Sequence, residues 1–258
     1  SVITFDVDWT SVIMPTKVSR ARSGVEWFED TENCIYEIAQ WFPRMCPYTD
    51  GDGWQNKEFT GRSEFALEFG DYSLAITAPE TFVVTASGTL ENPQDVLTQA
   101  QRSRLKESMT SERPMFVITP EEAMENEQRD RELLAAGNRG ERTWRFQADD
   151  VRDVAWAASP KFIWDSWGVE IPDTDGERCL AMSFYPNEAE PLWSLYSTQS
   201  VAHAVEIYSE LTIPYPYPVA ISVNGPVGGM EYPMICFNGP RPEKDGTYSE
   251  RTKRGLIG

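Results

Sequence analysis

Residues 213–237 read I-P-Y-P-Y-P-V-A-I-S-V-N-G-P-V-G-G-M-E-Y-P-M-I-C-F, and this stretch decides how the rest of the chain is interpreted. Apolar residues alternate with small or polar ones over 219–223, which predicts a β-strand. Gly225-Pro226 ends that strand, because proline has no backbone N–H to donate and glycine is conformationally free. Gly228-Gly229 then leaves a bare backbone that another chain segment can approach closely.

Glu231 is the only charged residue between Leu211 and Asn238. A carboxylate in apolar, glycine-rich surroundings is costly unless a cationic group meets it. The residues alone leave two interpretations open. In the first, Glu231 binds a cationic group of a ligand. In the second, it is a hairpin residue that points to solvent.

Residues 228–232, Gly-Gly-Met-Glu-Tyr, resemble the Gly-x-Met-Glu-Asn motif of the zinc aminopeptidases of the aminopeptidase N family, which are gluzincin metallopeptidases. The flanking prolines and tyrosines resemble a bacterial-type variant, Gly-Gly-Met-Glu-Tyr-Pro, although Tyr232 stands where the usual motif has asparagine. The resemblance implies that Glu231 binds the free α-ammonium of a peptide substrate. It also implies that Gly228, Gly229 and Met230 pair with the peptide as an added strand.

The resemblance extends to other stretches, among them Gln-Trp-Phe-Pro-Arg at 40–44 and Phe-Ile-Trp-Asp at 162–165. It implies a β-rich, saddle-like sandwich or curved-sheet domain over 1–172, the C-terminal part of the family's N-terminal domain. The opening α+β part of a thermolysin-like peptidase domain is then expected over 177–258. Asp173-Thr174-Asp175-Gly176 is the predicted linker between the two.

Hydrophobic periodicity supports a β-rich first part. It predicts strands at 2–9, 35–42, 63–69, 72–77, 82–88, 143–148, 151–158 and 179–184, with a short strand ending at Ile118. It predicts helices over 92–106, 119–137 and 191–211. Thr119 is the expected N-cap of the second helix, with Glu122 at the capping-box position. Within that helix, Ala-Met-Glu-Asn at 123–126 resembles the motif but lies among charges, and it is interpreted as a solvated helical face.

The catalytic residues of the family are not present. The chain has one histidine, His203, and no His-Glu-x-x-His, so we expect no catalytic residue and no bound zinc in this chain. The resemblance implies zinc in the full-length enzyme. Residues 254–258 are predicted to begin a helix, and the chain is expected to stop just before the zinc helix. As a fragment it is expected to be inactive.

Composition excludes some classes of function. The net charge of −18 and the pI of about 4.5 argue against nucleic-acid binding. No apolar run approaches the ~20 residues of a transmembrane helix, and a periplasmic or secreted location is favoured over a cytoplasmic one. The four cysteines form no Cys-x-x-Cys pair and are expected to be free thiols. The turn at 49–53 lacks the ligand spacing of an EF-hand, so no calcium site is expected.

One rival function remains open. Aromatic residues make up 12% of the chain and could stack on sugars. The alternative to a peptidase fragment is therefore a non-catalytic β-sandwich binding module that recognises protein or carbohydrate. A serine hydrolase is not favoured, because the chain has no Gly-x-Ser-x-Gly.

Overall fold

A computed structural model describes residues 2–17, 21–57 and 66–257 of the chain. The strands are β1 (Gly24–Phe28), β2 (Asn33–Ile38), β3 (Tyr48–Thr49), β4 (Gly53–Trp54), β5 (Gly70–Pro79), β6 (Val83–Ala86), β7 (Thr89–Leu90), β8 (Met115–Ile118), β9 (Glu141–Val151), β10 (Trp156–Ser159), β11 (Ile163–Glu170), β12 (Arg178–Tyr185), β13 (Val219–Asn224), β14 (Met230–Tyr232) and β15 (Ile235–Asn238). The helices are α1 (Pro93–Val96), α2 (Gln99–Ser108), α3 (Pro120–Ala135), α4 (Leu192–Leu211) and α5 (Glu250–Ile257), with a short 3-10 helix at Asn187–Ala189.

The described strands form four sheets, so the expectation of a β-rich fold with several sheets and some helices is confirmed. The largest sheet has the order β14-β15-β13-β12-β11-β8. A four-stranded sheet has the order β1-β2-β10-β6, a three-stranded sheet has the order β5-β9-β7, and β3 pairs with β4. In the large sheet, β13 is parallel to both β12 and β15, while the other pairs are antiparallel.

One large apolar core joins the two halves of the chain. Ile35 and Val84 from the four-stranded sheet and Phe146 from the three-stranded sheet belong to the same buried cluster as Phe184 and Phe237 from the large sheet. A smaller cluster fills the space between α4 and β11 to β13. Among the described helices, none is both long and apolar enough to cross a membrane.

The predicted linker at 173–176 is wrong. These residues form the turn between β11 and β12, which pair antiparallel from Ile163↔Tyr185 to Glu170↔Arg178. Asp173 and Gly176 both adopt positive φ angles, of 61° and 83°, as tight turns require. The boundary expected between 172 and 177 therefore lies inside one sheet.

The predicted strand at 2–9 is also wrong. Residues 2–9 have no regular structure, and Ile3 and Phe5 are 82% and 60% exposed. A strand needs a neighbour to take up its backbone hydrogen bonds, and no described strand pairs with this segment. Its described contact is at Trp9, whose indole N–H donates to the Trp41 carbonyl at 2.8 Å.

Four further elements differ from the predictions. The helix expected over 92–106 is two helices, because Thr98 forms the capping box of α2. The strand expected at 35–42 ends at Ile38, and Gln40 has a φ of 53°. The strand expected over 151–158 is divided between β9 and β10, although β10 lies inside its sheet as expected. Of the strand expected at 63–69, positions 63–65 lie outside the described residues and 66–69 are not in a strand.

Helix α3 begins as predicted, with Thr119 and Glu122 forming a capping box, but residues 123–126 are only in part a solvated face: Met124 and Glu125 are exposed. Ala123 and Asp130 are each 1% exposed, and the Asn126 amide donates to the Pro160 carbonyl at 2.9 Å. Two acidic side chains of the helix are buried against positive charges: Asp130 contacts Arg139, and Glu127 lies 3.1 Å from Lys161. A dense run of charged residues in a sequence usually indicates a solvent-facing surface. Here two of the carboxylates can be buried because each is paired with a positive side chain.

All four cysteines are free thiols in the structure. We expect thiol titration of the unfolded, unreduced protein to count four groups. A count of two would show that a disulfide forms and would contradict the structure.

Candidate functional site

The candidate site is the edge of the large sheet. The chain leaves β13, turns over residues 225–229, forms β14 and returns through β15 beside β13. The turn is tied to β15, because the Gly225 and Gly229 N–H groups donate to the Asn238 and Phe237 carbonyls at 3.2 and 3.0 Å. Among the described residues, no strand pairs with the outer side of β14. An extended segment could therefore add to this edge.

The two glycines of the motif differ in backbone conformation and in surroundings. Gly229 has a φ of 70°, which strongly favours glycine, and a Cβ added there would meet no atom within 4 Å. Gly228 lies against Gly239, whose Cα would be 3.7 Å from an added Cβ. In this chain, then, Gly229 is required for backbone conformation. The expectation that a side chain there would obstruct an approaching strand remains a proposal.

Glu231 is exposed on β14, between the half-buried Met230 and Tyr232. Among the described residues, no ion pair involves it. Met230 and Tyr232 pack on the core, and the Tyr232 and Phe237 ring centroids are 5.9 Å apart. Alternate residues of a strand face opposite sides, so the two apolar neighbours fix Glu231 on the other face. The structure thus leaves this carboxylate available to a ligand.

That face carries a row of polar side chains across the sheet. Register pairs Glu231 with Cys236, Cys236 with Ser222, Ser222 with Ser183 and Ser183 with Asp165. Residues paired in this way project from the same face. The Ser183 hydroxyl lies 2.8 Å from the Ser197 hydroxyl of α4. This polar row (Asp165, Ser183, Ser222, Cys236 and Glu231) therefore begins under α4 and ends at the exposed edge.

The buried end of the polar row is a carboxyl group. Asp165 accepts hydrogen bonds from the Tyr185 hydroxyl, at 2.7 Å, and from the Thr198 hydroxyl. Burial raises the pKa of Asp165 to about 7, while the two hydroxyl donors oppose this rise and the nearby Glu190 adds to it. Sequence reasoning quoted Asp165 only as part of a resemblance and did not predict this network, because its members come from three separate elements.

A largely apolar cavity of about 440 Å³ adjoins the site. It lies between the C-terminal half of α4 and the β14–β15 hairpin, and its lining includes Val205, Tyr208, Tyr232 and Cys236. Cys236 is the cross-strand partner of Glu231, so the cavity lies next to the carboxylate along the same hairpin.

A second carboxylate at the site was missed. Glu37 of β2 is fully buried, and its Oε2 accepts the Val227 N–H at 2.6 Å, within the turn that precedes β14. Burial raises the pKa of Glu37 well above its ordinary value, and the nearby Arg241 opposes that rise. The sequence feature that pointed to Glu231, a single charge in an uncharged stretch, is also present here: Glu37 is the only charged residue from 33 to 43.

The described residues do not hold a candidate metal centre. No three His, Cys, Asp or Glu side chains among them are grouped closely enough to bind an ion. His203 is exposed on α4, outside the site. The side chains present in the described chain do not fit a zinc ion.

No family model and no curated protein matches the chain. Many solved structures are similar in part, among them three of peptidases. Aminopeptidase A from Legionella pneumophila, in complex with aspartic acid, is 10% identical over 91% of this chain and 22% of its own, with a TM-score of 0.47. A two-domain M1 zinc metallopeptidase variant bound to L-tryptophan is 13% identical over 86% of this chain and 44% of its own, with a TM-score of 0.43.

The third is an M1 zinc metallopeptidase from Deinococcus radiodurans, which is 15% identical over 65% of this chain and 29% of its own, with a TM-score of 0.38. This chain thus spans less than half the length of each of these solved chains. At these TM-scores the similarity carries no argument about function.

Proposed function

We propose that this chain is part of a zinc-dependent aminopeptidase, and that Glu231 binds the free α-ammonium of its peptide substrate. The observation that carries the proposal is the position of Glu231. It is an exposed carboxylate without an ion-pair partner among the described residues, on the open edge strand of the large sheet. The sequence resemblance of residues 228–232 to the aminopeptidase N motif selects a peptide amine as the cation.

The edge offers the two kinds of contact that a peptide needs. The outer side of β14 can hydrogen-bond an extended backbone, which supplies affinity without regard to sequence. Glu231 then selects a chain that ends in a positive charge, because its attraction for an ammonium grows once water is excluded. Together these contacts would place the first peptide bond at a fixed distance from the carboxylate.

The apolar cavity beside Tyr232 and Cys236 would receive the first side chain. Its lining is largely aliphatic and aromatic, so substrates with a large apolar N-terminal residue are favoured. The step that cleaves the peptide is not assigned to any residue here, since the described side chains do not fit a zinc ion. In this proposal zinc belongs to the full-length enzyme.

Binding of two small amides to the chain tests the amine-recognition part of this function. L-leucinamide carries the free α-ammonium, and N-acetyl-L-leucinamide is the same compound without it. In 1H–15N NMR spectra, leucinamide is expected to shift the amide resonances of β14 saturably, and the acetylated compound is expected to leave them in place. Equal shifts with both compounds, or none with either, would contradict amine recognition.

The enzymatic part is tested on the full-length protein. We expect one zinc per chain and hydrolysis of leucine p-nitroanilide that a chelator abolishes. Absence of both would leave the binding module as the better interpretation. One observation favours that rival: Tyr48 and Trp54 are 59% and 60% exposed and pair edge to face, with ring centroids 5.3 Å apart, so both side chains are accessible to a sugar.

A further inference from the structure

The turn that carries the chain into β14 is held from another sheet. Val227 and Glu37 are 190 positions apart in sequence, yet the Val227 N–H donates to the Glu37 carboxyl group at 2.6 Å. Glu37 is 0% exposed, so water does not compete for this bond. The other carboxyl oxygen, Oε1, is buried without a hydrogen-bond partner among the described residues. A buried carboxyl group is expensive, and the Val227 N–H is the polar contact that offsets its cost.

The Gly225 backbone lies directly against the same carboxyl group. A Cβ added at Gly225 would overlap all three terminal atoms of the Glu37 side chain. Gly225 has no positive φ angle that would otherwise require glycine. The absent side chain at 225 therefore makes the space that the Glu37 carboxyl group occupies.

A second contact holds the same two parts of the chain together. Arg241 follows β15, and its guanidinium group forms a fork with the Glu26 carboxylate of β1, at 3.0 and 2.7 Å. Its Nε also donates to the Asn224 side chain at the end of β13, at 2.5 Å. The β1–β2 hairpin thus contacts this part of the chain at two points, within the turn through Glu37 and after β15 through Glu26.

We propose that Glu37 is a positioning residue for the candidate site: by accepting the Val227 N–H, it sets where the turn at 225–229 lies and, through that turn, where Glu231 lies. This inference rests on the proposed function for its consequence in binding. Glu231 is only four residues from Val227, and the intervening Gly228 and Gly229 have no side chains to fix the backbone themselves. The β14–β15 ladder sets the face on which Glu231 lies, and the contact from Glu37 adds a fixed point in the turn that precedes it.

Glutamine is the conservative replacement at 37. Its amide oxygen can accept the Val227 N–H as the carboxyl oxygen does, and it removes the charge that burial disfavours. Alanine removes the acceptor and leaves the Val227 N–H buried without a partner. Ile38→Val is the matched control, because it lowers core packing on the same strand but faces the opposite side of β2.

The test combines NMR of the free chain with leucinamide binding. Glu37→Ala is expected to shift the amides of residues 227–232 and to weaken leucinamide binding by about tenfold, the equivalent of one net hydrogen bond. Glu37→Gln and Ile38→Val are expected to leave both close to wild type. Gly225→Ala displaces the carboxyl group without removing it and should repeat the effect of Glu37→Ala. If Glu37→Ala does not fold, Gly225→Ala decides the question.

Unchanged β14 amides in Glu37→Ala and Gly225→Ala would overturn the positioning role, and so would an equal effect of Ile38→Val. The amide shifts are read without ligand, so they remain decisive if wild-type protein does not bind leucinamide. In that case the proposed amine recognition fails and the role of Glu37 in placing the turn is still measured.

Discussion

Replacing Glu231 by glutamine is expected to raise KM and lower kcat together when the full-length enzyme acts on peptides with a free N-terminus. The ion pair with the α-ammonium would form in both the ground state and the transition state, and it would also set the position of the scissile bond. Removing one partner of a desolvated charge pair costs roughly 2–4 kcal/mol. Because Glu231 is exposed in this chain, that magnitude requires bound substrate to exclude water from the carboxylate.

The shorter side chain of Glu231→Asp is expected to be damaging as well, since it keeps the charge but moves it. N-acetylated peptides are the control, because they present no ammonium and should respond little to either substitution. Steady-state kinetics on both substrate types is the measurement. Unchanged kinetics on free-amine substrates, or equal harm to free and blocked substrates, would assign Glu231 to the structure of the hairpin alone.

Replacing Asp165 by asparagine is expected to change how the stability of the protein depends on pH. Burial raises the pKa of Asp165 to about 7 in the folded state, from an ordinary value of 3.8. Between these values the folded protein holds a proton that the unfolded chain releases, so the contribution of Asp165 to stability is greatest at acidic pH. The free energy of unfolding therefore falls as the pH rises towards 7, and above pH 7 Asp165 causes no further change in it.

The expected size follows from the window. Each pKa unit is worth ~1.4 kcal/mol, so wild type should lose on the order of 2 kcal/mol from this group between pH 5 and pH 7. Asparagine does not titrate and can still hydrogen-bond the Tyr185 and Thr198 hydroxyls. The free energy of unfolding of Asp165→Asn, relative to wild type, should therefore rise across that window. Urea unfolding at several pH values measures it.

Asp175→Asn is the matched control for this experiment. It makes the same chemical replacement, carboxyl by carboxamide, at an exposed turn position. If the two variants show the same pH dependence, the burial of Asp165 has no part in the effect and the assignment is wrong.

Elements governed by neighbours in sequence could be predicted. The strand at Val219–Asn224, the capping box at Thr119 and the helix Leu192–Leu211 follow from alternation, a cap and helical periodicity. The cap and the helix are decided locally, because their hydrogen bonds close within a few residues. The strand pairs with the distant β12 and β15, but its alternation is already visible in the residues themselves. Glu231 could be predicted as a candidate site residue for a similar reason, because its isolation from other charges is visible in the residues on either side.

Features that depend on distant pairing could not be predicted. Asp-Thr-Asp-Gly has the composition of a linker and of a hairpin turn alike, and the pairing of β11 with β12 decides between them. The alternation at 2–9 predicts a strand, but a strand also needs a partner. Glu37 reaches the site across 190 residues, and the polar row exists only because five strands pair in one register.

The turn at 173–176 has a consequence for dividing the chain. A protease that cuts there would break one peptide bond but leave β11 and β12 paired over eight residues each. The nicked protein should therefore stay associated as two fragments that copurify and separate only on denaturation. Residues 177–258 produced alone would expose the long edge of β12, which invites aggregation. Mixed with the complementary fragment, they should reassemble, so this position suits a split-protein complementation system.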